Sequence, residues 1–138
     1  MHRAIEAAKN AKGEILVGAV IVKDEAVISS ACNRKEDMKD VSAHAEILAI
    51  REAAKKLGGW RLEDCEMYVT LEPCPMCAWA IIQSRLKSVY FGSYDRNYGA
   101  LGSAIDLRGL VNSKLKVYGG IMEEECDKLL EECFKELR

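Results

Sequence analysis

Two short segments hold residue types that do chemistry only in combination: His44-Ala45-Glu46 and Pro73-Cys74-Pro75-Met76-Cys77. Cys74 and Cys77 are three positions apart, so in the first turn of a helix their sulfurs share one face and reach a single ion. The amino end of a helix carries unpaired N–H groups and partial positive charge, which favours both thiolates. His44 adds a neutral imidazole nitrogen. Two thiolates balance the charge of one Zn²⁺, and three protein ligands leave a fourth tetrahedral position for water, the pattern of a catalytic zinc. Glu46 is the residue that a plain ligand set does not need. Residues two apart in mid-helix point to nearly opposite sides, but at a helix start both can reach past the end to a common point. A metal of this kind lowers the pKa of a bound water from about 15.7 to roughly 7. A carboxylate beside that water can take its proton and return it to a ring nitrogen and to departing ammonia. The chemistry so described is hydrolysis of an amidine-like C–NH₂. The plainer alternative is a structural zinc knuckle closed by Cys32 or Cys65, and it leaves Glu46 without a task.

The elements that must position these residues are legible from hydrophobic period. Ile5, Ala8 and Lys12 outline a first helix. Leu16 to Val22 and Val27 to Ala31 flank the polar Lys23-Asp24-Glu25 and read as a hairpin. After the polar stretch Asn33 to Asp40, Ser42 is a good N-cap for a helix running to Leu57, where Gly58-Gly59 ends it. Met67 to Leu71 predicts a third strand, and Cys74 to Gln83 a helix with Pro75 in its first turn. Ser88 to Phe91 and Leu115 to Tyr118 predict two more strands, with a helical patch around Ala104 to Leu110 between them. That long crossover permits parallel pairing and excludes a tight hairpin. Met122, Cys126, Leu129, Cys133 and Leu137 stripe a final amphipathic helix. The expected fold is α/β, a three-layer α/β/α sandwich around a mixed five-stranded sheet, with residues 1–138 as one domain.

Apolar residues make up 49% of the 138 and charged ones 30%, as in an ordinary globular protein. The formal charge of −2 argues against a general polyanion binder, so any nucleic-acid contact must come from a local basic patch. No stretch approaches the roughly 18 apolar residues of a membrane span, and no signal-peptide pattern opens the chain. A cytoplasmic protein with no membrane partner is expected, in which the six cysteines are reduced.

The order His-x-Glu followed by Pro-Cys-x-x-Cys is the signature of zinc nucleobase deaminases. Over nearly its whole length the chain resembles bacterial tRNA adenosine deaminases, within the cytidine and deoxycytidylate deaminase superfamily. The likeness runs through Val17-Gly18-Ala19-Val20-Ile21-Val22, Asn33, Asp40-Val41-Ser42-Ala43-His44-Ala45-Glu46, Tyr68 to Ala78, Ser84-Arg85, Phe91-Gly92, Asp95, Gly99, Gly102-Ser103 and Gly120-Ile121. The resemblance implies a cytidine-deaminase-like fold, one zinc per chain on His44, Cys74 and Cys77, and Glu46 as the proton shuttle. It also implies substrate contacts by Asn33, Ala45 and Asp95, a tRNA anticodon stem-loop as partner, and a homodimer. The reaction implied is adenosine to inosine at the wobble position. The chain departs from the family at Trp79, where glycine or alanine is usual, at Leu16 in place of proline, and at Asn97 in place of lysine.

Those departures keep a second reading open, the same zinc chemistry on a free base, nucleoside or nucleotide such as cytosine, guanine or dCMP. A third is a catalytically silent zinc module that binds RNA or a partner. At single positions, Asn33 and Asp95 each also suit a local turn, and Arg34, Lys35, Lys39 and Arg96 suit either a phosphate patch or solvated surface. Trp79 suits packing or an interface. Cys126 and Cys133 read as small buried hydrophobes.

Overall fold

The computed structural model describes residues 1–137. A hairpin of β1 (Gly18–Lys23) and β2 (Ala26–Cys32) turns at Asp24 and Glu25, both with positive φ (50° and 67°). These are the backbone angles of a tight turn that matches strand twist. β3 (Cys65–Leu71) pairs antiparallel with β1, and β4 (Ser88–Ser93) and β5 (Lys116–Tyr118) follow in parallel, giving the order β2-β1-β3-β4-β5. The sheet is therefore mixed and five-stranded, and the long connection before β5 does return it parallel to β4.

The two faces of the sheet are distinct. Ala19, Ile21, Met67, Val69, Val89 and Phe91 point to one side, where they pack on Ala45, Ala49 and Ala53 of α3 (Ala45–Leu57) and on Ala78 and Ile81 of α4 (Pro75–Gln83). The alanine stripe brings α3 close to the strands. On the other side α1 (His2–Ala8) lies against β1 at Gly18, where an added Cβ would strike the backbone of Ala4 and Ala8. There too α6 (Glu123–Leu137) seats Cys126 over Gly92. The layers are thus α/β/α, with Cys126, Leu129 and Cys133 buried as the apolar stripe of α6.

Several boundaries differ from the sequence reading. The first strand starts at Gly18 rather than Leu16, although one further bond in the same register, from the Asn33 N–H to the Val17 carbonyl (3.1 Å), runs beyond it. The polar stretch holds one short helix, α2 (Lys35–Met38), whose first N–H groups are received by the Glu14 carboxylate at 3.1 and 3.0 Å. The helix expected at Ala104 to Leu110 is α5 (Leu107–Val111), started where the Asp106 side chain accepts the Arg108 N–H. Ser42 does not cap α3; it bonds to Asp40 through both its N–H and hydroxyl, and the N-cap position falls on His44.

The contact at Gly18 has a measurable consequence. Gly18→Ala should displace α1 and cost about 1–3 kcal/mol, the range for overpacking a filled interior. The shift of the urea midpoint, at unchanged slope, measures it.

Candidate active site

The amino ends of α3 and α4 meet beyond the end of β3. His44 is the N-cap residue of α3 and Cys74 that of α4, both in extended backbone, and neither side chain caps its own helix. They turn toward each other instead. His44 Nδ1 lies 3.8 Å from Cys74 Sγ and 3.4 Å from Cys77 Sγ, and the three ligand atoms all fall within 4.8 Å of one another. Tetrahedral zinc, with bonds of about 2.3 Å to sulfur and about 2.05 Å to nitrogen, calls for N···S separations of about 3.5 Å. The donor set fits such an ion.

Giving both cap positions to metal donors leaves two helix starts to be satisfied by other means. In α4 Pro75 occupies the first turn and brings no N–H. In α3 the Ala45 N–H donates to Asn33 Oδ1 at 2.9 Å, while Asn33 Nδ2 donates to the Ile15 carbonyl at 3.1 Å. Asn33 therefore ties the segment before β1 to the amino end of the helix that bears His44 and Glu46.

The electrostatics are those of buried acids beside bases. Glu46 is 4% exposed, and burial pushes its carboxyl up to about 7. It can therefore both hold and release a proton near neutrality. The Cys77 thiol, hydrogen-bonded to Cys74, holds Cys74 down to about 4, with His44 adding to the effect. Cys77 itself is raised, by the same hydrogen bond and then by burial. His44 is raised by its hydrogen bond to Cys74. Without a metal the cluster thus favours the Cys74 thiolate and lets His44 hold a proton more tightly than a free imidazole does, and a divalent cation would compete with those protons.

A cavity of about 580 Å³ opens onto the cluster and is lined by Asn33, His44, Glu46, Cys74 and Asp95 among others. Cys77 is fully buried. Ala45 is buried as well, with its N–H engaged by Asn33. Asp95 Oδ1 accepts the N–H groups of Asn97 and Tyr98 at 3.1 and 3.0 Å, so the carboxylate also shapes its own loop. Lys35 lines the cavity, Arg34 pairs with Asp37 at 2.7 Å, and Arg96 faces a separate hollow beside Tyr94 and Ser103. A larger hollow of about 1000 Å³, between β2 and α3, contains none of His44, Glu46, Cys74 or Cys77. Glu14 and Tyr98, which the sequence reading gave no place at the cavity, line it beside Glu72. Of the three, only the acid directly before Pro73-Cys74 carried a signal in the sequence.

Residues 1–93 match the family model described as the cytidine and deoxycytidylate deaminase zinc-binding region. The chain is 46% identical to the tRNA-specific adenosine deaminase of Bacillus subtilis, in an alignment covering 100% of this chain and 88% of that one. A structure from a study of A-to-I editing by tRNA:A34 deaminases superimposes with a TM-score of 0.87 at 39% identity, covering 94% of this chain and 97% of the other. A guanine deaminase from Nitrosomonas europaea superimposes with a TM-score of 0.77 at 25% identity, over 93% of this chain and 77% of the other. The chain belongs to the cytidine and deoxycytidylate deaminase family, and within it to the tRNA-specific adenosine deaminases.

Asn33→Ala should strand both the Ala45 N–H and the Ile15 carbonyl and cost about 1–2 kcal/mol, the upper range for a lost helix cap. Asn33→Asp keeps the acceptor and loses the donor, and should fall between the variant and the parent. Urea denaturation of the three proteins ranks them; equal stability would remove the capping role.

Proposed function

We propose that this chain is a zinc-dependent hydrolase that converts adenosine to inosine at the wobble position of a tRNA anticodon. The observation that carries the reading is the placement of Glu46, buried and lining the same cavity as His44 and Cys74, with Cys77 beneath. Full-length similarity to tRNA-specific adenosine deaminases supports the choice of substrate. Similarity to guanine deaminases is lower in structural overlap, with TM-scores of 0.77 and 0.64 against 0.87, and makes a free purine the competing substrate.

His44, Cys74 and Cys77 would hold one zinc ion per chain, which supplies the Lewis acidity that activates the attacking water. Glu46 takes a proton from that water and delivers it to N1 of the purine as oxygen adds at C6. It then carries the second proton to the amino group, which leaves as ammonia. Asn33, Ala45 and Asp95 are assigned to hold the nucleotide. Asn33 keeps a second lone pair on Oδ1 and a second N–H on Nδ2 after its two backbone bonds, which suits an adenine edge. An anticodon-loop base is unpaired, so turning it into the cavity costs less than extraction from a duplex.

Met76 and Trp79 stand on the exposed side of α4, and Ile105, Leu110 and Val111 are exposed on and before α5, which touches α4. We assign these apolar side chains to a homodimer contact. Among the described residues no helix is long and apolar enough to cross a membrane. A cytoplasmic setting is proposed from the tRNA substrate.

Two measurements test the assignment. Zinc-loaded protein, offered an adenosine-containing anticodon stem-loop beside free bases and nucleosides, should produce inosine in the stem-loop alone; turnover confined to free guanine would move the enzyme to the competing substrate. Glu46→Ala should lower turnover by about 10²–10⁴-fold, the scale of a lost general acid–base, with zinc content unchanged by elemental analysis. For the dimer, Trp79→Glu should shift the sedimentation coefficient from dimer to monomer, and an unshifted dimer would place the interface elsewhere.

A further inference from the structure

Glu72 is a carboxylate 2% exposed to solvent, and among the described residues no lysine or arginine pairs with it. All its hydrogen-bond donors come instead from one loop. Oε1 accepts the Asp95 N–H at 3.2 Å and the Ser103 hydroxyl, and Oε2 accepts the N–H groups of Leu101 and Ser103 at 3.2 and 3.1 Å. An ionised carboxylate has about four lone-pair sites and no proton to give. Here four donors meet them. Gly99 passes so close that an added Cβ would fall on the Glu72 carboxylate and the Asp95 carbonyl, so the loop is wrapped around the acid.

The place of this acid in the chain matters as much as its bonds. Glu72 immediately precedes Pro73-Cys74, and its own N–H donates to Ser93 at the end of β4 (2.8 Å). The Pro73 carbonyl receives the Ala100 N–H at 2.9 Å. The loop it gathers carries Asp95 and Tyr98 to the wall of the cavity that Cys74 also lines. We propose that Glu72 is a positioning residue for the deamination, an acceptor hub that fixes the substrate wall of residues 95–103 relative to the segment bearing the first thiolate. The proposal rests on the reading that Asp95 and its neighbours receive the nucleotide.

Glutamine has the shape of glutamate but turns one acceptor into a donor, which would face an N–H or the Ser103 hydroxyl. In the zinc-loaded full chain, Glu72→Gln should raise KM for the anticodon stem-loop by about tenfold, the scale of one or two lost charge-assisted hydrogen bonds. Turnover at saturation should change by less than about threefold, since the proton shuttle Glu46 is untouched. Hydrogen exchange should quicken at the Asp95, Leu101 and Ser103 amides and stay unchanged at Ala78 in α4, with zinc per chain unaltered. Ser103→Ala, an exposed site whose change the fold should tolerate, removes one donor. It should show a smaller rise in KM and faster exchange at Leu101 and Ser103, and it keeps the test available where Glu72→Gln does not fold. Unchanged exchange at the three amides overturns the hub. Faster exchange with unchanged KM overturns the positioning role, and loss of zinc from Glu72→Gln reassigns the residue to the metal segment. If the parent protein acts only on a free purine, the exchange arm still decides whether Glu72 holds the loop.

Discussion

The structure depends on two helix starts whose cap positions have been handed to chemistry. A helix ordinarily spends its N-cap side chain on its own orphan N–H groups. His44 and Cys74 hold those positions in α3 and α4 and face each other across the site. Each helix compensates differently. α4 begins with proline, which has no N–H to satisfy, and α3 borrows the Asn33 side chain from a segment eleven positions upstream of His44. The positive ends of both helices then bear on two sulfurs and a buried carboxylate, and this makes thiolate chemistry tolerable away from bulk water.

From that constraint the rest of the site follows outward. The alanines of α3 let the helix lie close to β1 and β2, which brings His44 within reach of a helix starting just after β3. Burial of Glu46 in the same packing raises its carboxyl into the neutral range. The cavity wall opposite is irregular backbone, and irregular backbone needs acceptors; Glu72 supplies them without a counter-cation. A site of this kind combines rigid donors on helices with a wall whose amides turn to Glu72 and to Asp95.

Much of this was legible in the sequence because the signals are local. The spacing of Cys74 and Cys77, the proline between them, the Gly58 stop in the left-handed region (φ 75°) and the crossover before β5 all act over a few residues or through connection length. The failures are cases where two local signals compete or where the partner is distant. Ser42 has the chemistry of a cap, but Asp40 two residues earlier takes both its donors. Asp106 starts α5 through its own side chain, a cap signal outweighed by the apolar run beginning at Ala104. The four-residue α2 is too short to show a period, and its anchor, Glu14, lies far upstream. Glu72 stands out in sequence only by its place before Pro73-Cys74; its meaning comes from amides about thirty positions away, which no periodicity reports.

The antiparallel seam between β1 and β3 joins Lys23 to Cys65, so a long stretch of chain must be looped out before the two strands meet. His44 lies inside that loop and Cys74 just beyond its closing strand. In the unfolded chain the two cysteines remain neighbours, while the imidazole wanders at the entropic cost of a loop closure. Seam pairing is a non-local and therefore slow event in folding, and only its completion brings the third donor to the other two. An ion held by all three donors binds the closed seam and not the open one, so its affinity adds directly to the stability of the strand pairing. Opening of the sheet at that seam and release of such an ion would be one equilibrium, with the metal a clasp on the longest-range strand contact among the described residues.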